Sequence, residues 1–452
     1  MSDFVRHALI ARLGAGDDTS VLTRPDDAAH AVQFIDGDRR FGRGLGSALA
    51  QVARLGLQPS ETAIDLMLLA ACVTAADTRI SRYNEGQDGW RREIAIHLPV
   101  SDPDLWSEQA YLLKRMLDFL SGDRWTLSFH PRPSRMSRLA PSKAPRRFDR
   151  DTVCLFSGGL DSFIGVVDLL ENGAKPVLTS QYDPTNSAYQ TATMKHLKKR
   201  FGACLPPHVG VNLTFPTDLL QAGSDNNLRA RSFLFFAHAA LVASAIPGGA
   251  EVKVPENGFI SLNVPLDPLR LGSFSTRTTH PFYLARWNEL LVGIGLPVQL
   301  NNPYQYATKG EMVRDCADPA FLGTAAADTM SCSSPTKMRW QGYAPMHCGY
   351  CMPCLIRRGS LLAGMGSDPT SYFLSALNAR PLDSLKAEGE HIRSFQLAAE
   401  RLRARPASAA RLIHLPGPLF DDSGSLDKYE RVYLAGMAEV TALLSGVVTR
   451  PL

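Results

Sequence analysis

The stretch "DTVCLFSGGLDSFIGVVDLL", residues 151–170, decides how the centre of this chain is read. Its apolar start, TVCLF, reads as a short buried strand, and SFIGVVDLLENG reads as a helix stopped by Gly173. Between them lie Ser157, Gly158, Gly159, Leu160, Asp161 and Ser162. Two glycines among hydroxyl residues are poor core material. At a strand-to-helix junction, however, unpaired backbone N–H groups and the positive end of the helix dipole face one point. Glycine lets the backbone approach an anion closely there, and Ser157 and Ser162 add hydroxyl donors. The turn therefore reads as a phosphate holder. Asp161 cannot bind phosphate directly; it either holds Mg²⁺ or fixes the loop. The junction matches neither G-x-x-x-x-G-K-[ST] nor G-x-G-x-x-G, which excludes a Walker A loop and a dinucleotide fingerprint here.

Working outward, strand and helix patterns alternate. KPVLTSQY is the next strand, MKHLKKRF a helix, HVGVNLTF a strand, LRARSFLFFAHAALVASAI a long buried helix and EVKVPEN a strand. Such alternation predicts a parallel sheet with helices on both faces. Ligands of such sheets sit at the carboxyl ends of the strands, where Ser180, Gln181 and Tyr182 would meet adenosine. After the last of these strands, Glu256 and Asn257 either read a guanine-like edge by paired hydrogen bonds or form a plain turn.

Upstream, EIAIHLPV and RWTLSFH read as strands on either side of a helix, LWSEQAYLLKRMLDFL, so residues 1–149 form an α/β unit of their own. Residues 131–150 join it to the sheet. They carry seven Lys or Arg against one Asp, either as a strip for nucleic acid or as a solvated connector. Downstream, residues 363–452 read as mostly helical.

The bulk numbers agree with a multidomain globular protein: 452 residues, 45% hydrophobic, 20% charged, net charge +4. The opening residues Met1–His7 show no apolar run before a small-residue cleavage site, so no secretory leader is expected. The longest apolar run, near Ala63–Ala76, is too short to span a bilayer and contains Asp65, so a cytoplasmic protein without membrane partners is expected. Of eight cysteines, Cys348, Cys351 and Cys354 stand at x₂ spacing, with Cys332 the natural fourth ligand of a structural Zn²⁺. His347 is a possible substitute. Cys72, Cys154, Cys204 and Cys316 read as ordinary buried thiols.

The S-G-G-x-D-S turn resembles the PP-loop of the N-type ATP pyrophosphatases. Together with the cysteine run it resembles the QueC-like family, the 7-cyano-7-deazaguanine synthases, over roughly residues 150–362. "TMSCSS" and "CGYCMPCLIRR" are similar to that family's zinc segments, "ATKGEMV" (Lys309, Glu311) to its lysine-bearing helix start, and "LRARSFLFFAHAAL" to its arginine-led helix. Where the family usually has Arg-Asn, this chain has Arg231-Ser232. The resemblance implies a HUP-like, adenine nucleotide alpha-hydrolase-like fold. It also implies that Ser157, Gly158, Gly159, Leu160, Asp161 and Ser162 grip the pyrophosphate of Mg-ATP, with Asp161, Lys309 and Arg231 catalytic. The implied reaction adenylates the carboxylate of 7-carboxy-7-deazaguanine and passes it to an amine. The added terminal regions resemble those of QueC-like proteins from bacterial anti-phage islands of the Qat type. For these the implied acceptor is the N-terminus of a partner protein from the same locus. Ammonia, giving a nitrile, and a tRNA substrate are the alternatives.

Overall fold

The computed structural model describes residues 5–35, 41–140, 148–182, 187–225, 228–267 and 277–451. Two parallel sheets organise the chain. The first contains β1 (Arg6–Arg12), β2 (Asp27–Gln33), β3 (Glu93–Val100) and β4 (Arg124–Pro131), in the order β2-β1-β3-β4. The second contains β5 (Thr152–Leu155), β6 (Pro176–Gln181), β7 (His208–Val211), β8 (Ala250–Lys253) and β9 (Val298–Asn301), in the order β7-β6-β5-β8-β9. A short parallel pair, β10 (Leu382–Asp383) and β11 (Thr449–Arg450), ties the C-terminal segment together.

Successive side chains of a strand face opposite ways. In β5, Val153 enters one core and Cys154 another; Val177 and Leu178 of β6 divide between the same two cores. The central sheet is therefore covered on both faces, as a parallel sheet requires. On one face lies the helix Arg231–Ala245, and against it the helix Glu61–Arg79, which in turn packs on the first sheet. The layers run sheet, helix, helix, sheet around one continuous core. This is why residues 63–76 are apolar all round: the helix is covered from both sides. Its buried Asp65 accepts from the Ser101 N–H at 2.8 Å and pairs with Arg132.

Arg132 corrects part of the basic-strip reading of the connector. Its side chain is buried and joins Glu61 to Asp65, so it holds the connector against the first unit. Residues 141–147 lie outside the described residues.

The strand–helix–strand at 93–130 forms, with its helix broken at Gln109 into Pro103–Glu108 and Ala110–Ser121. β1, β2 and β9 carried no strand signal that was read. The strands expected at 208–215 and 251–257 stop at Val211 and Lys253. Val211 is paired with Gln181, the last residue of β6, and Pro255 has no N–H to continue a ladder. The C-terminal helices Ala387–Ala404 and Leu426–Leu443 form a separate core with Phe259, Leu262, Leu355 and Ile356. Cys72, Cys154 and Cys316 are buried, but Cys204 is exposed, because it lies on a short 3₁₀ turn after the helix Ser187–Phe201. Among the described residues no helix is long and apolar enough to cross a membrane.

Candidate functional site

β5 and β8 are neighbours in the sheet although they are its first and fourth strands in sequence. Connections leave them in opposite directions, and a crevice opens beyond their carboxyl ends. The glycine turn follows β5 and Glu256 follows β8, so both face that crevice.

The turn is locked by its own serines. The Ser157 N–H donates to Ser162 Oγ at 3.2 Å, and Ser162 Oγ donates to the Gly159 carbonyl at 3.0 Å. Ser157 Oγ accepts from the Gly159 N–H at 3.2 Å. Gly158 has φ +79°, and a Cβ there would stand 2.8 Å from the Gln190 backbone nitrogen. Only glycine suits that position on both counts. The helix Leu160–Glu171 that follows has no side-chain cap, so its first N–H groups remain directed at the crevice. Leu160 itself points into the core.

Asp161 does not face the crevice; it is buried behind the turn. Lys309 Nζ lies 2.6 Å from its Oδ1, while the Asn257 N–H and Nδ2 donate to its Oδ2 at 3.1 and 2.7 Å. Both oxygens are engaged, so of its two expected roles the structure gives it the fixing of the loop. Burial raises its pKa, but the neighbouring Lys309 and the hydrogen bonds outweigh this and hold it below the usual aspartate value. Glu256 is the opposite case. Desolvation and the adjacent Asp161 carboxylate push it well above the ordinary carboxylate range. Lys309 starts the helix Lys309–Arg314 under a capping box made by Thr308 and Glu311.

A cavity of about 250 Å³ occupies the crevice. Ser157, Ser162, Ser180, Gln181, Arg231 and Glu256 line it, so residues dispersed over a hundred positions converge on one space. Arg231, the first residue of its helix, is exposed at the wall. Ser180 Oγ lies 2.6 Å from His208 Nε2. Burial lowers the His208 pKa to about 4, so this imidazole is neutral.

Two expected contacts are corrected. Asn257 is fully buried and does not line the cavity: its Oδ1 caps the Ile260 N–H at 3.0 Å and its Nδ2 serves Asp161, which leaves no edge for a base. Tyr182 packs its ring against Gly210 and His208 instead of facing the cavity.

Three uncharged polar residues of the same cavity carried no signal in the sequence. Thr179, Gln190 and His238 line it, all buried, and Thr179 Oγ1, Gln190 Oε1 and His238 Nε2 have no hydrogen-bond partner among the described residues. Gln190 Nε2 donates to the Gln181 carbonyl at 3.0 Å, which fixes the amide with its oxygen left over. Burial takes the His238 pKa down to about 3 and keeps the ring uncharged. A native interior rarely leaves three polar atoms unpaired in one place unless ordered water or a ligand pairs them. Period-two alternation would have put Thr179 inside, but no pattern ties it to residues 190 and 238.

Cys332, Cys348, Cys351 and Cys354 are buried, with all four sulfurs within 4.8 Å of one another. Cys332–Cys351 and Cys348–Cys354 Sγ separations are both 3.8 Å. A tetrahedron with Zn–S bonds of about 2.3 Å has edges of about 3.8 Å, so the sulfurs fit Zn²⁺. Four thiolates leave no open coordination position, which suits a structural ion. His347 is not a ligand; its Nε2 accepts from the Ser331 N–H at 3.1 Å. The cluster reaches the glycine turn directly, since the Met330 N–H donates to the Gly158 carbonyl at 3.0 Å. Buried Arg357, on the helix beginning after Cys351, donates to Thr329 Oγ1 at 2.8 Å and steadies the same segment.

Comparisons of this chain with protein-family models and with curated proteins find no match.

Proposed function

We propose that the chain is an ATP-dependent, AMP- and pyrophosphate-forming ligase of the QueC-like PP-loop type. It activates the carboxylate of a 7-deazaguanine, 7-carboxy-7-deazaguanine, and transfers the acyl group to an amine. The observation that carries this reading is the self-locked Ser157–Ser162 turn, which opens at the sheet's switch point onto a cavity lined by Arg231 and Glu256 together with the uncharged Thr179, Gln190 and His238. The turn and Arg231 suit phosphates, and the uncharged polar side chains suit a heterocycle.

A carboxylate is a poor electrophile because its leaving group would be oxide. Attack of a carboxylate oxygen on the α-phosphorus forms the acyl-adenylate and expels pyrophosphate; attack of an amine on the acyl carbon then expels AMP. The enzyme's task is to hold charge developing on the departing pyrophosphate. The N–H groups at the start of the helix Leu160–Glu171, the Ser157 hydroxyl and Arg231 supply that stabilisation, while Asp161 and Lys309 hold the turn in shape. Mg²⁺ arriving with ATP would neutralise phosphate charge. Ammonia needs no docking surface, so the units flanking the central sheet favour a macromolecular amine, the N-terminus of a partner protein of an anti-phage locus.

The test is nucleotide product analysis with purified protein and Mg-ATP, with and without 7-carboxy-7-deazaguanine. AMP and pyrophosphate should appear only with the deazaguanine and be lost in Asp161→Ala. ADP as product, or AMP formation indifferent to the base, would refute the reading.

A further inference from the structure

The helix that carries Lys309 is set by more than its own capping box. Thr308 Oγ1 accepts from the Glu311 N–H at 3.0 Å, and the Glu311 carboxylate accepts from the Thr308 N–H at 2.8 Å. The Thr308 hydroxyl still has its own proton to place, and it donates this to Glu439, on the C-terminal helix Leu426–Leu443. The other Glu439 oxygen accepts from Ser360 Oγ at 2.7 Å and lies 3.3 Å from the Gly310 nitrogen. Ser360 belongs to the helix Met352–Met365, which begins directly after Cys351 of the cluster.

Glycines let three helices close on this carboxylate. A Cβ on Gly310 would stand 2.5 Å from Glu439 Oε1, and one on Gly359 would stand 2.8 Å from the Glu439 carbonyl oxygen. A Cβ on Gly364 would stand 2.5 Å from the Gly310 carbonyl oxygen. Three donors, Thr308, Ser360 and Gly310, thus converge on one acceptor-only group. A carboxylate satisfies all of them; an amide of the same shape has to turn N–H groups toward donors.

We propose that Glu439 is a positioning residue for Lys309, so that the C-terminal helical segment completes the phosphate site. The kinetic consequence rests on the ligase reading above; the geometric claim does not. Glu439 orients the Thr308 hydroxyl, Thr308 fixes the first turn of the helix, and that turn aims Lys309 at Asp161.

The experiment uses the full chain carrying Glu439→Gln, with Thr441→Ala as control. Thr441 lies on the same helix, and its hydroxyl donates to its own Met437 carbonyl at 2.7 Å. Acetic anhydride labelling at fixed pH, resolved by mass spectrometry, reports the reactivity of Lys309 relative to exposed Lys337. Lys309 should be protected in the wild type and in Thr441→Ala, and its labelling should rise about tenfold in Glu439→Gln, the scale of a lost charge-assisted hydrogen bond. No rise, or an equal rise in Thr441→Ala, overturns the proposal. If Glu439→Gln does not fold, Ser360→Ala removes one donor only and should raise labelling roughly twofold to threefold; no rise there overturns it equally. In turnover with Mg-ATP and 7-carboxy-7-deazaguanine, kcat should fall about tenfold with KM for ATP within about twofold. Unchanged kcat beside a newly reactive Lys309 would refute the positioning role. A wild type without turnover would sink the ligase reading instead, and labelling would then decide this proposal alone.

Discussion

Thr179→Val should make the free protein more stable and its ligand affinity weaker, an opposed pair of shifts that a structural threonine cannot produce. Thr179 is fully buried in β6, and its hydroxyl has no partner among the described residues. An unpaired buried hydroxyl costs about 1–3 kcal/mol of desolvation, and valine replaces it with a methyl group of nearly the same shape. Allowing for imperfect fit, a gain of about 1 kcal/mol is expected, which in a chain of this size is about 1–3 °C in Tm. A ligand that hydrogen-bonds this hydroxyl loses about 1 kcal/mol, or roughly fivefold to tenfold in Kd. Differential scanning calorimetry of the free protein supplies the first number. Titration calorimetry with a non-hydrolysable ATP analogue, and separately with 7-carboxy-7-deazaguanine, supplies the second and tells which ligand meets this hydroxyl. A Tm that falls by more than about 2 °C, or affinities for both ligands that do not change, would refute the reasoning, since the hydroxyl would then have a partner within the fold.

Two other perturbations address the metal cluster and the carboxyl pair. The wild type should carry about one zinc per chain by elemental analysis and Cys351→Ser far less, because a tetrahedral thiolate site tolerates loss of a ligand poorly; equal metal content in both would exclude these sulfurs as its ligands. Since Met330 bonds Gly158, metal loss should also weaken nucleotide binding. Glu256 is raised above its unfolded pKa, so its contribution to stability is complete below the ordinary glutamate range and is lost as pH rises through the raised folded value. Glu256→Gln mimics the protonated carboxyl and should flatten that alkaline loss in a urea-unfolding series; an unaltered slope would mean that Glu256 titrates normally.

Much of this protein was legible along the chain because the signals are local. Strand, glycine turn and helix follow one another within residues 151–171, and that order needs nothing from elsewhere to be recognised. Three cysteines within seven positions announce a metal cluster for the same reason, and its sulfur spacing agrees. Parallel topology followed from the order of elements. Roles that depend on what a side chain meets across the fold were not legible. Asn257 and Tyr182 sit beside the right strand ends but turn away, one to hold Asp161 and the other to cover Gly210. Thr179, Gln190 and His238 share no spacing, so only the crossing of β6 with two helices brings their unpaired atoms to one wall. The raised pKa of Glu256 comes from burial and from the Asp161 carboxylate, ninety-five positions away in sequence and adjacent in space. Glu439 reaches the Lys309 helix from the far end of the chain, through glycines whose meaning is the closeness of other backbones. Sequence order determines which local conformations and donor types exist; burial and partnership, which set charge state and role, arise only when distant segments exclude water from one another.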